Sequence, residues 1–141
     1  MQQPEQSGPK QDKAYDLSTF RVLIIEDSNF IANLLSSSLG EMGVGLTMVA
    51  NNVAAAREKI LSFNAVPSSQ NIDVVIVDWL MPDGSGDDLL KWIRGHKSDA
   101  IKFLPTIICS AYASADLVED SRDSGANEVM VKPVSAEKLA R

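Results

Sequence analysis

The chain has 141 residues, room for one domain with a substantial buried core but not for two of ordinary size. Hydrophobic residues make up 45% and charged residues 23%, which excludes wholesale disorder and collagen-like or mucin-like chains. Nineteen acidic against thirteen basic side chains leave a net charge of -6, so counterion-driven binding to a nucleic-acid backbone is not expected of this domain.

Residues 1–19 are rich in Gln, Pro, Ser and charge and are expected to form a disordered leader, with the domain running over 20–141. The start carries no apolar run resembling a signal peptide, and the single cysteine, Cys109, cannot close an internal disulfide. A cytoplasmic location is therefore expected. No stretch approaches the roughly 18 apolar residues of a spanning helix, so no membrane segment is expected either.

From Phe20 onward short apolar runs alternate with longer amphipathic ones. Strands are predicted over 21–25, 46–49, 74–77, 106–109 and 129–131. They are mostly continuous apolar runs, which implies burial on both faces, as in a parallel sheet. The first helix is predicted over 28–41, with Ile31, Leu34, Leu35, Leu39 and Met42 on one face. The second covers 52–63, with Val53, Ala56, Ile60 and Phe63 inward, and a loop over 65–71 follows it. The third covers 87–94, with Leu89, Leu90 and Ile93 inward, and the fourth 115–124, stopped by Gly125. Ser135 is a candidate N-cap for a last helix from Ala136, which reads as cut short at Arg141, with residues or a following domain lost.

Strands alternating with helices through right-handed crossovers make a three-layer α/β sandwich. Its ligand site is expected beyond the carboxyl ends of the strands, where strand order reverses. Glu26 and Asp27 follow the first strand, Asp78 the third, Ser110 the fourth, and Lys132 with Pro133 the fifth. Three close carboxylates repel unless a cation is present or protons are retained, and hard oxygen ligands suit Mg²⁺ or Mn²⁺. Mg²⁺ commonly pairs one or two carboxylates with phosphate oxygens, so the set looks prepared for a phosphoryl group. Each residue also has an ordinary reading. A polar residue after a buried strand is common, and Lys132-Pro133 suits the end of a strand and the start of a helix. His96 reads as a solvated side chain and Cys109 as a small buried one.

The motifs IIEDS around Glu26 and Asp27, VDWLMPDGSG around Asp78, the pair Ser110-Ala111 and VKP ending at Pro133 resemble the receiver domains of bacterial two-component response regulators, chemotaxis-regulator-like in kind. Asp78 stands 32 positions before Ser110 and Ser110 stands 22 before Lys132, close to the spacing of that family. The resemblance covers residues 20–141 and implies a doubly wound, flavodoxin-like five-stranded parallel sheet of order 2-1-3-4-5. It implies that Asp78 is the phosphoacceptor, and that Asp27, Asp78 and the Leu80 main-chain carbonyl hold Mg²⁺ directly. Glu26 would then act through water, while Ser110 and Lys132 contact phosphoryl oxygens. The implied donor is a sensor histidine kinase or a histidine phosphotransfer protein, and the implied output is an effector protein or a fused domain. A phosphorylation-dependent dimer is compatible with that role.

Two positions depart from the family pattern. Val129 stands where an aromatic ring usually swings inward, so the switch must be carried differently, with Tyr112 a candidate. Leu80 and Tyr112 stand where an acid or amide often speeds loss of the phosphoryl group, so slow self-dephosphorylation is expected. Other readings are an aspartyl-phosphate phosphohydrolase, a nucleotide-binding module and a pseudo-receiver scaffold that is never phosphorylated. The first lacks its second acid at Leu80, and the second lacks a third glycine at Leu89 and places Asp87 and Asp88 at the helix start. The expected protein is thus a signalling domain that assists its own phosphorylation, not an enzyme.

Overall fold

A computed structural model describes residues 16–64, 71–81, 83–110 and 115–131. The main elements are β1 (Arg21–Ile25), α1 (Asn29–Glu41), β2 (Leu46–Ala50), α2 (Val53–Asn64), β3 (Val74–Asp78), α3 (Gly86–Arg94), β4 (Thr106–Ser110), α4 (Ala115–Asp123) and β5 (Glu128–Val131). The five strands form one parallel sheet of order β2-β1-β3-β4-β5, as the resemblance implied. Strand boundaries agree with the sequence reading to within a residue. Residue 82, Ala111 to Ser114, the 65–70 part of the predicted loop, and the last helix with Lys132, Pro133 and Ser135 lie outside the described residues.

Successive side chains of a strand point to opposite faces, and here both faces are covered, which is why the strands read as unbroken apolar runs. Leu23, Ile25, Val75, Val77 and Ile108 pack against Val53, Ala56 and Ile60 of α2 and Leu89, Leu90 and Ile93 of α3. Val22, Ile24, Ile76 and Cys109 pack on the other face against Ala32, Leu35 and Leu39 of α1. The buried stripe of α1 is narrower than expected. Leu34, placed on the inward face by the spacing, is 45% exposed, and Ala32 is buried instead. In α2 the helix runs one residue further than expected, and Asn64 closes the buried stripe while Phe63 is partly buried.

Three features lie outside the sequence reading. The chain joins the fold ahead of the expected boundary at Phe20, because the Leu17 carbonyl accepts hydrogen bonds from the amides of Phe20 (3.0 Å) and Gly45 (3.1 Å). A single helical turn, Asp99–Lys102, precedes β4. A two-residue antiparallel ladder pairs Leu80 with Ser85 and Met81 with Gly84, so the chain leaving β3 forms a small hairpin before α3 begins. No helix among the described residues is long and apolar enough to cross a membrane.

Candidate metal and phosphoryl site

The chain passes from β1 outward to β2 and then back across β1 to β3, so the order reverses between β1 and β3. Loops from these two strands leave in opposite directions and open a crevice at their carboxyl ends. The register pairs Ile25 with Val77, and one step further along stand Glu26 and Asp78. One carboxylate oxygen from each of Glu26, Asp27 and Asp78 lies within 4.8 Å of the others. The expected convergence of these three is therefore present, and an all-oxygen donor set at this spacing fits a hard divalent cation such as Mg²⁺.

Glu26 is 2% exposed, a costly place for a carboxylate unless its lone pairs are used. Its Oε2 accepts the Ser28 amide at 3.1 Å, and its own amide donates to the Ala50 carbonyl at 2.9 Å. Ser28 caps α1, its Oγ accepting the Ile31 amide at 3.3 Å, so the positive end of the α1 dipole faces the acidic group. Asp27 is exposed and Asp78 half-buried, an arrangement that leaves the site open to solvent on the Asp27 side.

Ser110 ends β4 and is nearly buried. Asp78 is the register partner of Cys109, so Ser110 extends one residue beyond Asp78 on the neighbouring strand. Ser110 in turn pairs with Val131, the residue before Lys132. The Leu80 main chain lies in the first arm of the hairpin. That hairpin folds tightly on β3. The Gly86 amide donates to the Trp79 carbonyl at 2.7 Å, and a Cβ on Gly86 would sit 3.0 Å from the Asp78 carbonyl oxygen. Glycine is what permits this approach.

Two polar residues at this edge escaped the sequence reading. Asn51 follows β2, and its Nδ2 donates to the Glu26 carbonyl at 2.9 Å and to Asn29 Oδ1 at 3.3 Å. Asp83, at the hairpin tip, accepts the Val53 amide on Oδ1 at 2.7 Å and the Ala54 amide on Oδ2 at 3.1 Å. The Val53 and Ala54 amides hold its carboxyl below the usual range. Asn51 could have been found by the reasoning that found the others, since it too ends a strand at the carboxyl edge. His96, expected as a solvated side chain, is half-buried. Its ring stands edge-on to Trp92 at 5.4 Å and its Nδ1 accepts the Ser98 amide at 3.1 Å. Val129 is half-buried and packs on the α2/α3 side of the sheet.

The family described as response regulator receiver domain matches residues 22–141. The chain is similar to the chemotaxis protein CheY of Pseudomonas aeruginosa, at 28% identity over 84% of this chain and 89% of that protein. It is also similar to the response regulator protein PilR of the same organism, at 31% identity over 87% of this chain, which spans only 25% of PilR. Among solved structures, the chemotaxis response regulator CheY4 of Vibrio cholerae superposes with a TM-score of 0.74 at 26% identity, covering 86% of this chain and 92% of that one. The chain belongs to the response regulator receiver domain family, a signalling domain of two-component systems and not a classical enzyme.

Proposed function

We propose that this domain accepts a phosphoryl group on Asp78 from a phosphohistidine of a sensor kinase or phosphotransfer protein, and that the modified site changes partner binding. The observation that carries the reading is the meeting of Glu26, Asp27 and Asp78 at the strand-order reversal, with Ser110 at the end of the next strand. An Asp78 carboxylate oxygen attacks phosphorus, the bond from phosphorus to the histidine nitrogen breaks, and the nitrogen leaves as imidazole. Asp27, Asp78 and the Leu80 carbonyl would hold Mg²⁺, which would supply charge neutralisation at the transferring group. Glu26, on the buried side, would act on the ion mainly through water. Ser110 and Lys132 donate to phosphoryl oxygens.

A phosphoryl group adds about -1.5 to -2 charges at a site whose own residues are acidic. The donors that answer this charge lie on β4 and after β5, so the response is drawn toward that edge of the sheet. Valine at position 129 has no ring to reorient, and the path runs through Ser110 and the chain that follows it. The output partner binds the surface so altered.

Incubation with acetyl phosphate and Mg²⁺ tests the assignment by intact-protein mass spectrometry. Wild type should gain one acid-labile, hydroxylamine-sensitive phosphoryl group, and both Asp78→Ala and omission of Mg²⁺ should prevent it. Equal labelling of Asp78→Ala would overturn the choice of nucleophile, and no labelling of wild type would favour a scaffold that is never phosphorylated.

A further inference from the structure

Glu26 and Asp27 sit on one side of the crevice and Asp78 on the other. Besides the β1 to β3 pairing, a second connection runs between them over the top of the sheet. From the first side, the Glu26 carbonyl is held by Asn51. Asn52 follows and caps α2, its Oδ1 accepting the Ala55 amide at 2.7 Å. The next two residues, Val53 and Ala54, give their amides to Asp83. Asp83 is the tip of the hairpin whose base is Asp78.

Behind the tip, between α2 and α3, lies a cavity of about 490 Å³ lined in part by Asp83, Gly84, Arg57 and Trp92. The tip is fastened to α2 by the bidentate Asp83 contact and by the close approach of Gly84 to Val53, where a Cβ would stand 3.2 Å from Val53 Cγ2. A carboxylate that accepts two amides at a helix N-terminus makes charge-assisted bonds with a fixed direction. Such a contact can hold a backbone segment in register.

We propose that Asp83 is a positioning residue for the cation site: through α2 and Asn51 it sets the distance between the Asp78 hairpin and the Glu26-Asp27 side. This inference rests on the reading of the three carboxylates as a Mg²⁺ site. Residues that orient metal ligands without touching the metal commonly tune affinity by about 10–100-fold. Asp83 makes no contact with the ion under this proposal.

Mg²⁺ titration of the full chain by calorimetry, with thermal unfolding in chelator alongside, tests it. Asp83→Ala should bind Mg²⁺ about tenfold more weakly than wild type. Asp83→Asn should fall between, because its single carbonyl oxygen can still accept the Val53 amide. Asp88→Ala removes the same charge from an exposed position on α3, and should stay within about twofold of wild type because solvent and salt screen it. Asn51→Ala should weaken binding from the other end of the connection, and with Asp83→Asn it keeps the contrast if Asp83→Ala fails to fold. Wild-type affinity in the Asp83 variants, with only a lower unfolding temperature, would make Asp83 merely structural and overturn the inference while leaving the cation site standing. An equal loss in Asp88→Ala would reduce the effect to charge and overturn it too. Absence of Mg²⁺ binding by wild type would overturn the cation site and the inference together.

Discussion

Asn64 is 1% exposed and spends its amide group on three backbone partners. Nδ2 donates to the carbonyls of Ile72 (3.0 Å) and Ala100 (3.1 Å), and Oδ1 accepts the Ile72 amide at 2.8 Å. It thus ties the end of α2 to the approach of β3 and to the helical turn Asp99–Lys102. Asn64→Ala leaves buried backbone groups without partners and should cost about 1–3 kcal/mol, read as a lower urea midpoint at unchanged slope. A change within error would mean that water replaces the side chain. Leu80 carries a different kind of consequence. An apolar residue two positions after Asp78 cannot hold or polarise an attacking water, so the phosphorylated domain should be long-lived. Leu80→Asn should shorten the lifetime severalfold in a phosphate-release assay, with labelling by acetyl phosphate retained. An unchanged lifetime would remove Leu80 as its cause.

At the scale of elements, Arg94 ties α3 to the β4 and β5 side, alongside the Ser124 hydroxyl that donates to Asp87 Oδ1. Arg94 donates from Nε to the Gly125 carbonyl at 3.0 Å, from Nη1 to the carbonyls of Lys102 (2.8 Å) and Leu104 (2.7 Å), and from Nη2 to Asn127 Oδ1 at 2.9 Å. Burial pushes the guanidinium down from its ordinary value, but arginine stays charged at neutral pH. Lysine has no planar fork to reach these acceptors, so Arg94→Lys should cost about 1–3 kcal/mol. Gly125 has φ +107°, and a Cβ there would stand 2.8 Å from Arg94 Cγ. Gly125→Ala should therefore destabilise by at least about 1 kcal/mol, and the double variant by less than the two changes added, because both damage the same contact. Full additivity in a double-mutant cycle would refute the shared contact. These elements also mark what the sequence made legible. The strands were readable because burial on both faces leaves few polar positions inside them, Thr47 of the edge strand β2 being one, and α3 because Leu89, Leu90 and Ile93 fall on one face. The hairpin was not, since two-residue strands made by Leu80, Met81, Gly84 and Ser85 carry no period. Leu34 misled because helical spacing alone does not say how wide a stripe the sheet will cover. Among the site residues, Glu26, Asp27, Asp78 and Ser110 were legible as strand-end polar groups, whereas Asp83 acts through a fold-dependent contact thirty residues away in sequence.

For the whole molecule, the acidic cluster places like charges together in a way that a bound cation would offset. Two unit charges within 4.8 Å repel by about 3–4 kcal/mol at an effective dielectric of about 20, before relaxation and solvent reduce the figure. The domain also carries a net charge of -6, which adds a weaker general repulsion in the same direction. The unfolded chain separates these carboxylates, so the cost falls on the folded state alone. Asp78→Asn removes two of the three close pairs without changing the side chain's shape. In chelator, Asp78→Asn should therefore unfold at a higher temperature than wild type. Mg²⁺ should work against this difference, because an ion that binds only the folded form stabilises wild type by about 2.7 kcal/mol when its free concentration is a hundredfold above Kd. The variant, with a weakened site, should gain less, so the gap between the two should narrow or change sign as Mg²⁺ is added. Parallel melting curves at every Mg²⁺ concentration would show that Asp78 and the ion do not share a site, and a wild type already more stable in chelator would show that repulsion among these carboxylates does not limit the fold.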